Sequence, residues 1–138
     1  MEDFGLARLH RESPLNSIWE GTGNVNCLDV LRALDREPES VEAFLAEVEL
    51  AGGADPQLDR AVAALPGEIA AAEEGGARRV VERMALVLQG SLLVRHAPSA
   101  VADAFCASRL GRDAGLALGT LSPGLELAAI VERHRPLV

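Results

Sequence analysis

The segment from Ala77 to Val94 limits the possible folds of this chain more than any other stretch. Val80, Val81, Met84, Val87, Leu88 and Leu92 recur at helical spacing, and Leu86, Leu93 and Val94 fill the gaps, leaving almost no polar face after Glu82 and Arg83. A helix that is apolar on nearly all sides must be surrounded by other elements. It is expected at the centre of a bundle, with Arg95, His96 and Pro98 as its exit.

The rest of the chain supplies those neighbours. Ala and Leu far outnumber the β-branched residues, which favours helices over strands, and the fold class expected is all-α, a bundle of five or six helices. Val25, Leu28, Leu31 and Leu34 form one helical stripe, with Thr22 or Asn24 as its N-cap and Pro38 as its stop. Val41, Phe44, Leu45 and Val48 form a second, capped by Ser40 and ended by Gly52 and Gly53. Leu58, Ala61, Val62 and Leu65 form a third, opened by Asp55 with Pro56 in the first turn and interrupted at Pro66 and Gly67, with Glu68 to Glu74 as a kinked continuation before Gly75 and Gly76 the alternative. Ser99 is expected to cap a helix that turns Val101, Phe105 and Leu110 inward, and Ser122 and Pro123 to open a last one through Leu125, Ala128, Ala129 and Glu132. Residues 1–21 show no helical period and read as an extended arm or loop.

With 49% apolar residues the chain can build a core, but with one Trp, three Phe and no Tyr that core is aliphatic. No stretch approaches the roughly 18 apolar residues that a membrane span needs, and the N-terminus lacks the basic and apolar regions of a signal peptide. No membrane partner and a cytoplasmic location are therefore expected. Cys27 and Cys106 lack metal-ligand spacing and read as two small buried apolar side chains in a reducing compartment. His10, His96 and His134 sit in three separate segments, so no metal site is expected, and Ser91 and Ser99 lack the context of a hydrolase nucleophile.

The net charge of −8 argues against general attraction to nucleic acid. Its distribution is uneven. Residues 77–138 carry eight Arg against five acids, whereas residues 36–76 carry two against ten. Arg78, Arg79 and Arg83 read as a solvated helix face, and Arg109, Arg112, Arg133 and Arg135 would cluster only if their helices pack together.

The chemically informative run is Arg8-Leu9-His10-Arg11-Glu12-Ser13-Pro14-Leu15-Asn16-Ser17-Ile18-Trp19-Glu20-Gly21-Thr22-Gly23-Asn24. It places a carboxylate on a constrained turn just before a helix N-terminus, beside a flat aromatic and two glycines that let backbone approach a ligand closely. Such an arrangement suits a general acid or base facing a bulky, partly anionic cofactor.

Arg8, Arg11-Glu12 and Ile18-Trp19-Glu20-Gly21-Thr22 resemble, in order and spacing, the C-terminal motif of the acyl-CoA dehydrogenase family. The Trp19, the Pro14–Ile18 approach, the run from Asn24 to Arg32 and Ala102-Asp103-Ala104-Phe105-Cys106 resemble its AidB-like (alkylation-response) branch specifically. The resemblance implies the fold of that family's C-terminal helical domain. It implies that Glu20 matches the catalytic base that removes the α-proton of an acyl-CoA, that Gly21 matches a substrate-binding residue, and that Thr22, Gly23 and Asn24 match a turn that contacts the cofactor, FAD. It implies two regions, residues 1–36 closing the acyl-CoA dehydrogenase helical domain and residues 37–138 forming the additional helical domain of the AidB-like type. Because Met1 falls where the family has internal sequence, the chain is expected to be a piece of a longer oxidoreductase, inactive alone and partnered by the remaining domains, with acyl-CoA as the parent's substrate. A homo-oligomer is expected. The competing readings are a DNA-binding helical module, which the net charge disfavours, and a helical oligomerisation piece.

Overall fold

A computed structural model describes residues 5–111, 113, 115 and 117–136. Among them are seven α-helices and no β-strand. They are α1 (Leu6–Glu12), α2 (Gly23–Arg36), α3 (Pro38–Glu49), α4 (Pro56–Ala70), α5 (Ala77–His96), α6 (Ser99–Phe105) and α7 (Leu127–Arg133). Two 3-10 turns, Ser13–Ser17 and Glu74–Gly76, and a π-helical segment, Cys106–Leu110, join them. The all-α bundle expected from sequence is the observed architecture.

The 20-residue α5 is its axis, packed by α2, α3, α4 and α6. Its burial differs from expectation. Ala77, Val80, Met84, Val87 and Ser91 form a buried stripe, but Arg78, Arg79, Glu82, Ala85, Gln89 and Leu92 are exposed. The helices around it cover one broad face rather than the whole circumference, so apolar Leu92 stays 40% exposed. Against the buried stripe lie Val48 of α3, Leu58, Ala61 and Leu65 of α4, and Cys106 and Leu110 of the π segment. Val30 and Leu34 fasten α2 to the same cluster as partly buried contacts.

Side-chain caps fix the starts of α2 and α4. Asp55 accepts from the backbone N–H groups of Gln57 and Leu58 at 2.8 and 2.9 Å, with Pro56 in the first turn, as the sequence pattern requires. Thr22 caps α2, its Oγ1 accepting from Val25 N–H at 3.5 Å. Pro38 does more than stop α2, because it also begins α3, with Glu37 and not Ser40 at the N-cap. Proline lacks only the N–H that a first turn leaves unbonded anyway.

Pro66 does not interrupt α4, which runs on to Ala70. Pro66 is exposed while the adjacent Leu65 is fully buried, so packing holds the helix together across the missing donor. Pro98 takes the N-cap position of α6, and Ser99 makes no capping bond. The last helix starts at Leu127, later than the Ser122-Pro123 pattern suggests, because Gly124 turns the chain at φ +98° and the Ser122 hydroxyl is bonded to Asp113. Residues 5–21 are more ordered than an extended arm: α1 and the 3-10 turn fold locally, with Arg8 bonded to Glu12 at 2.8 Å one turn away. No residue of either element is buried.

Candidate active-site turn

The turn carrying Glu20 is built by short-range backbone bonds. Ile18 and Trp19 donate to the Leu15 carbonyl at 3.0 and 2.9 Å, and Gly21 donates to Ile18 at 3.2 Å. These close the chain tightly enough to drive Glu20 to φ +58° and Gly21 to φ +119°. Glu20 is the only non-glycine residue with positive φ among those described. A bulky residue in the left-handed region costs on the order of 1 kcal/mol or more, and such strain collects at functional sites.

The far side of the turn is fixed to α2. Thr22 caps the helix, its carbonyl accepts from Asn26 N–H at 3.0 Å, and Asn26 Nδ2 donates to the Gly21 carbonyl at 3.4 Å. A Cβ at position 21 would lie 3.0 Å from Asn26 Oδ1, so both space and φ select glycine there. Glu20, Gly21, Thr22, Gly23 and Asn24 are thus brought together on one turn and the first positions of a 14-residue helix. The positive end of that helix dipole is available to an anion.

One residue that the sequence reading treated as a solvated helix face also belongs here. Arg78 of α5 reaches the start of α2, where a Cβ on Gly23 would lie 3.7 Å from its Nη2. Gly23, Cys27, Arg78, Val81 and Glu82 line a cavity of about 370 Å3 between the two helices. The signal in the sequence was the Arg78-Arg79 pair, but nothing in a linear pattern places it opposite residue 23.

Glu20 itself is solvent-exposed, and the apolar side chains before it are open as well, Ile18 at 59% and Trp19 at 66%. The turn therefore presents a carboxylate, an aromatic plane and a helix N-terminus on one open surface, with no opposing wall among the described residues.

The other candidates fall elsewhere. Cys106 is fully buried, and burial first, with the nearby Asp55 and Asp103 charges, pushes its thiol up to about 12. Cys27 is only half-buried and both cysteines are free. Ser91 is buried, its hydroxyl donating to the Glu47 carbonyl at 3.5 Å. Arg135 pairs with Glu132 on its own segment, Arg112 lies outside the described residues, and Arg109 instead meets Arg79 and Arg83. Among the described residues no group of three or more His, Cys, Asp and Glu side chains could hold a metal, and no helix is long and apolar enough to cross a membrane.

No family model matches the chain. AidB of Escherichia coli (strain K12), whose name assigns it to the acyl-CoA dehydrogenases, is 34% identical over 117 residues, 85% of this chain. The chain is an AidB-like member of the acyl-CoA dehydrogenase family. Acyl-CoA dehydrogenase family member 11 of Caenorhabditis elegans is 47% identical over 49 residues, 36% of this AidB-like chain. The matches span 22% of the bacterial relative and 8% of the nematode one, so the chain corresponds to about a fifth of the length of AidB.

Proposed function

We propose that this chain is the C-terminal part of an FAD-dependent acyl-CoA dehydrogenase-like protein and supplies its general base, Glu20. The observation that carries the reading is the strained Glu20, held at φ +58° immediately before a capped helix N-terminus in a chain of this family. In that role the Glu20 carboxylate takes the α-proton of an acyl-CoA, and the Gly21 backbone approaches the substrate. Bound FAD would supply the acceptor for the hydride that leaves the β-carbon. Thr22, Gly23 and Asn24, with Arg78 beside them, would face its phosphates.

The donor set fits that last role in part. A helix N-terminus with a guanidinium beside it suits a phosphate oxyanion. A cavity of about 370 Å3 open on one side offers only an edge for a dinucleotide. Residues 1–36 are proposed to close the dehydrogenase helical domain and residues 37–138 to form the added domain, α2 ending at Arg36 just before Pro38.

It follows that the chain alone is inactive. A general base works only within hydrogen-bond reach of its proton, and exposed Glu20 has no wall holding a substrate against it. Leu6, Leu9, Ile18 and Trp19 stand open on the same segment, and the remaining domains, or another copy of the chain in a homo-oligomer, would cover them. The test is a chimera in which this chain replaces the corresponding segment of the Escherichia coli relative. Acyl-CoA should bleach the flavin of the chimera, and Glu20→Gln should abolish bleaching while leaving flavin content unchanged. Bleaching that survives Glu20→Gln would overturn the assignment.

A further inference from the structure

Further along α5, and sharing only Glu82 with the lining of the first cavity, Glu68, Arg79, Glu82, Arg83, Leu86 and Arg109 line a second cavity of about 210 Å3. That is several times the roughly 30 Å3 a water occupies in the liquid. Three arginines come to it from two elements. Arg79 and Arg83 lie one turn apart on α5, a like-charge spacing that costs helix stability when nothing anionic sits between them. Arg109 comes from the π segment, a helical irregularity that is frequent at functional sites.

These guanidiniums are not used up by the fold. Arg79 and Arg109 take no hydrogen bond or ion pair with any described residue. Arg83 forms an ion pair with Glu68, but Nε and Oε2 are 3.6 Å apart, too far for a hydrogen bond, so the buried Nε has no hydrogen-bond partner. A buried N–H left unbonded calls for an acceptor, and a chain of net charge −8 that gathers three arginines around one concavity has concentrated its positive charge there.

We propose that this cavity is a binding site for a phosphate group, with Arg83 Nε as its central donor and Arg79 and Arg109 as flanking guanidiniums. Planar guanidiniums match the oxygen spacing of a phosphate, and Leu86 excludes water on one side and so strengthens the charge-assisted bonds. Glu68 and Glu82 leave a local balance of +1 and weaken the attraction, which gives their removal a definite sign. The site is independent of the role of Glu20.

The experiment is a titration of the full chain, labelled with 15N, with inorganic phosphate at constant ionic strength, reading the arginine Nε–Hε resonances. A saturable shift of the Arg83 signal is expected. Arg79→Gln and Arg109→Gln should each weaken binding at least tenfold, Glu82→Gln should tighten it at least threefold, and Arg135→Gln should leave it unchanged. Arg109→Lys, which keeps the charge and loses the fork, should fall between wild type and Arg109→Gln. A parallel titration with ADP separates the sources: equal affinity identifies the phosphate group alone as the ligand, and tighter ADP binding identifies a nucleotide phosphate. A shift that never saturates, an affinity indifferent to Arg79, Arg109 and Glu82, or a response to duplex DNA with none to phosphate or ADP would overturn the proposal.

Discussion

Arg95 of α5 donates to the Glu47 carboxylate of α3 at 2.6 Å, one turn beyond Ser91, whose buried hydroxyl donates to the Glu47 backbone carbonyl. Two residues of the central helix thus grip one residue of its neighbour. The ion pair is partly open, the side chains being 25% and 44% exposed, so solvent screens it. Glu47→Gln is expected to lower stability by about 0.5 kcal/mol. Ser91→Ala, which removes a buried hydrogen bond from a carbonyl that keeps its bond from Leu50 N–H at 3.3 Å, should cost about 1 kcal/mol. Urea denaturation measures both, and the smaller loss should fall to Glu47→Gln.

Gly90 is buried where α5 faces α4 and the π segment. A Cβ there would meet Leu110 Cδ1 at 3.0 Å and Leu58 Cδ1 at 3.2 Å, and both leucines are buried. Alanine would gain about 0.5–1 kcal/mol of helix propensity, but overpacking a filled core costs about 1–3 kcal/mol. Gly90→Ala is therefore expected to destabilise by about 1 kcal/mol, and a rise in melting temperature would show that the core is looser than described.

Cys106 and Cys27 should differ sharply in reactivity. The Cys106 thiol, raised by burial from 9.0 to about 12, is protonated and inaccessible at neutral pH, so native alkylation should label Cys27 first and Cys106 only on unfolding. The pH effect has a fixed sign. A thiol that ionises less readily in the folded state contributes stability that is complete below pH 9 and is lost as pH rises from there through about 12. Mass spectrometry after brief alkylation, in native buffer and in denaturant, checks the labelling, and melting curves above pH 9 check the sign.

Much of the fold was legible because its signals are local. Asp55-Pro56 and Thr22 announce helix starts through capping chemistry that needs no tertiary partner, and the apolar stripes of α2 to α5 follow from a period of 3.6 residues. What was misread depends on context. The open face of α5 reflects how many neighbours the chain provides, Pro66 stays helical because buried Leu65 holds its turn, and Ser122 is drawn away from capping by Asp113. The site divides in the same way. Residues 20–24 are contiguous and could be read from the motif, whereas Arg78 and the meeting of Arg79, Arg83 and Arg109 arise only when α2, α5 and the π segment pack.

The central claim is that Glu20 and the α2 N-terminus form one edge of a flavin and acyl-CoA site whose other walls are not in this chain. Micromolar binding requires about 8 kcal/mol net after the costs of association, more than one helix end and one arginine can supply. The direct measurement is a titration of the purified chain with FAD, following flavin fluorescence, then addition of an acyl-CoA. No saturable quenching below roughly 100 μM and no bleaching are expected, since Kd values near 1 mM correspond to only about 4 kcal/mol. Saturable low-micromolar binding, or acyl-CoA-dependent bleaching that Glu20→Gln abolishes, would contradict the claim.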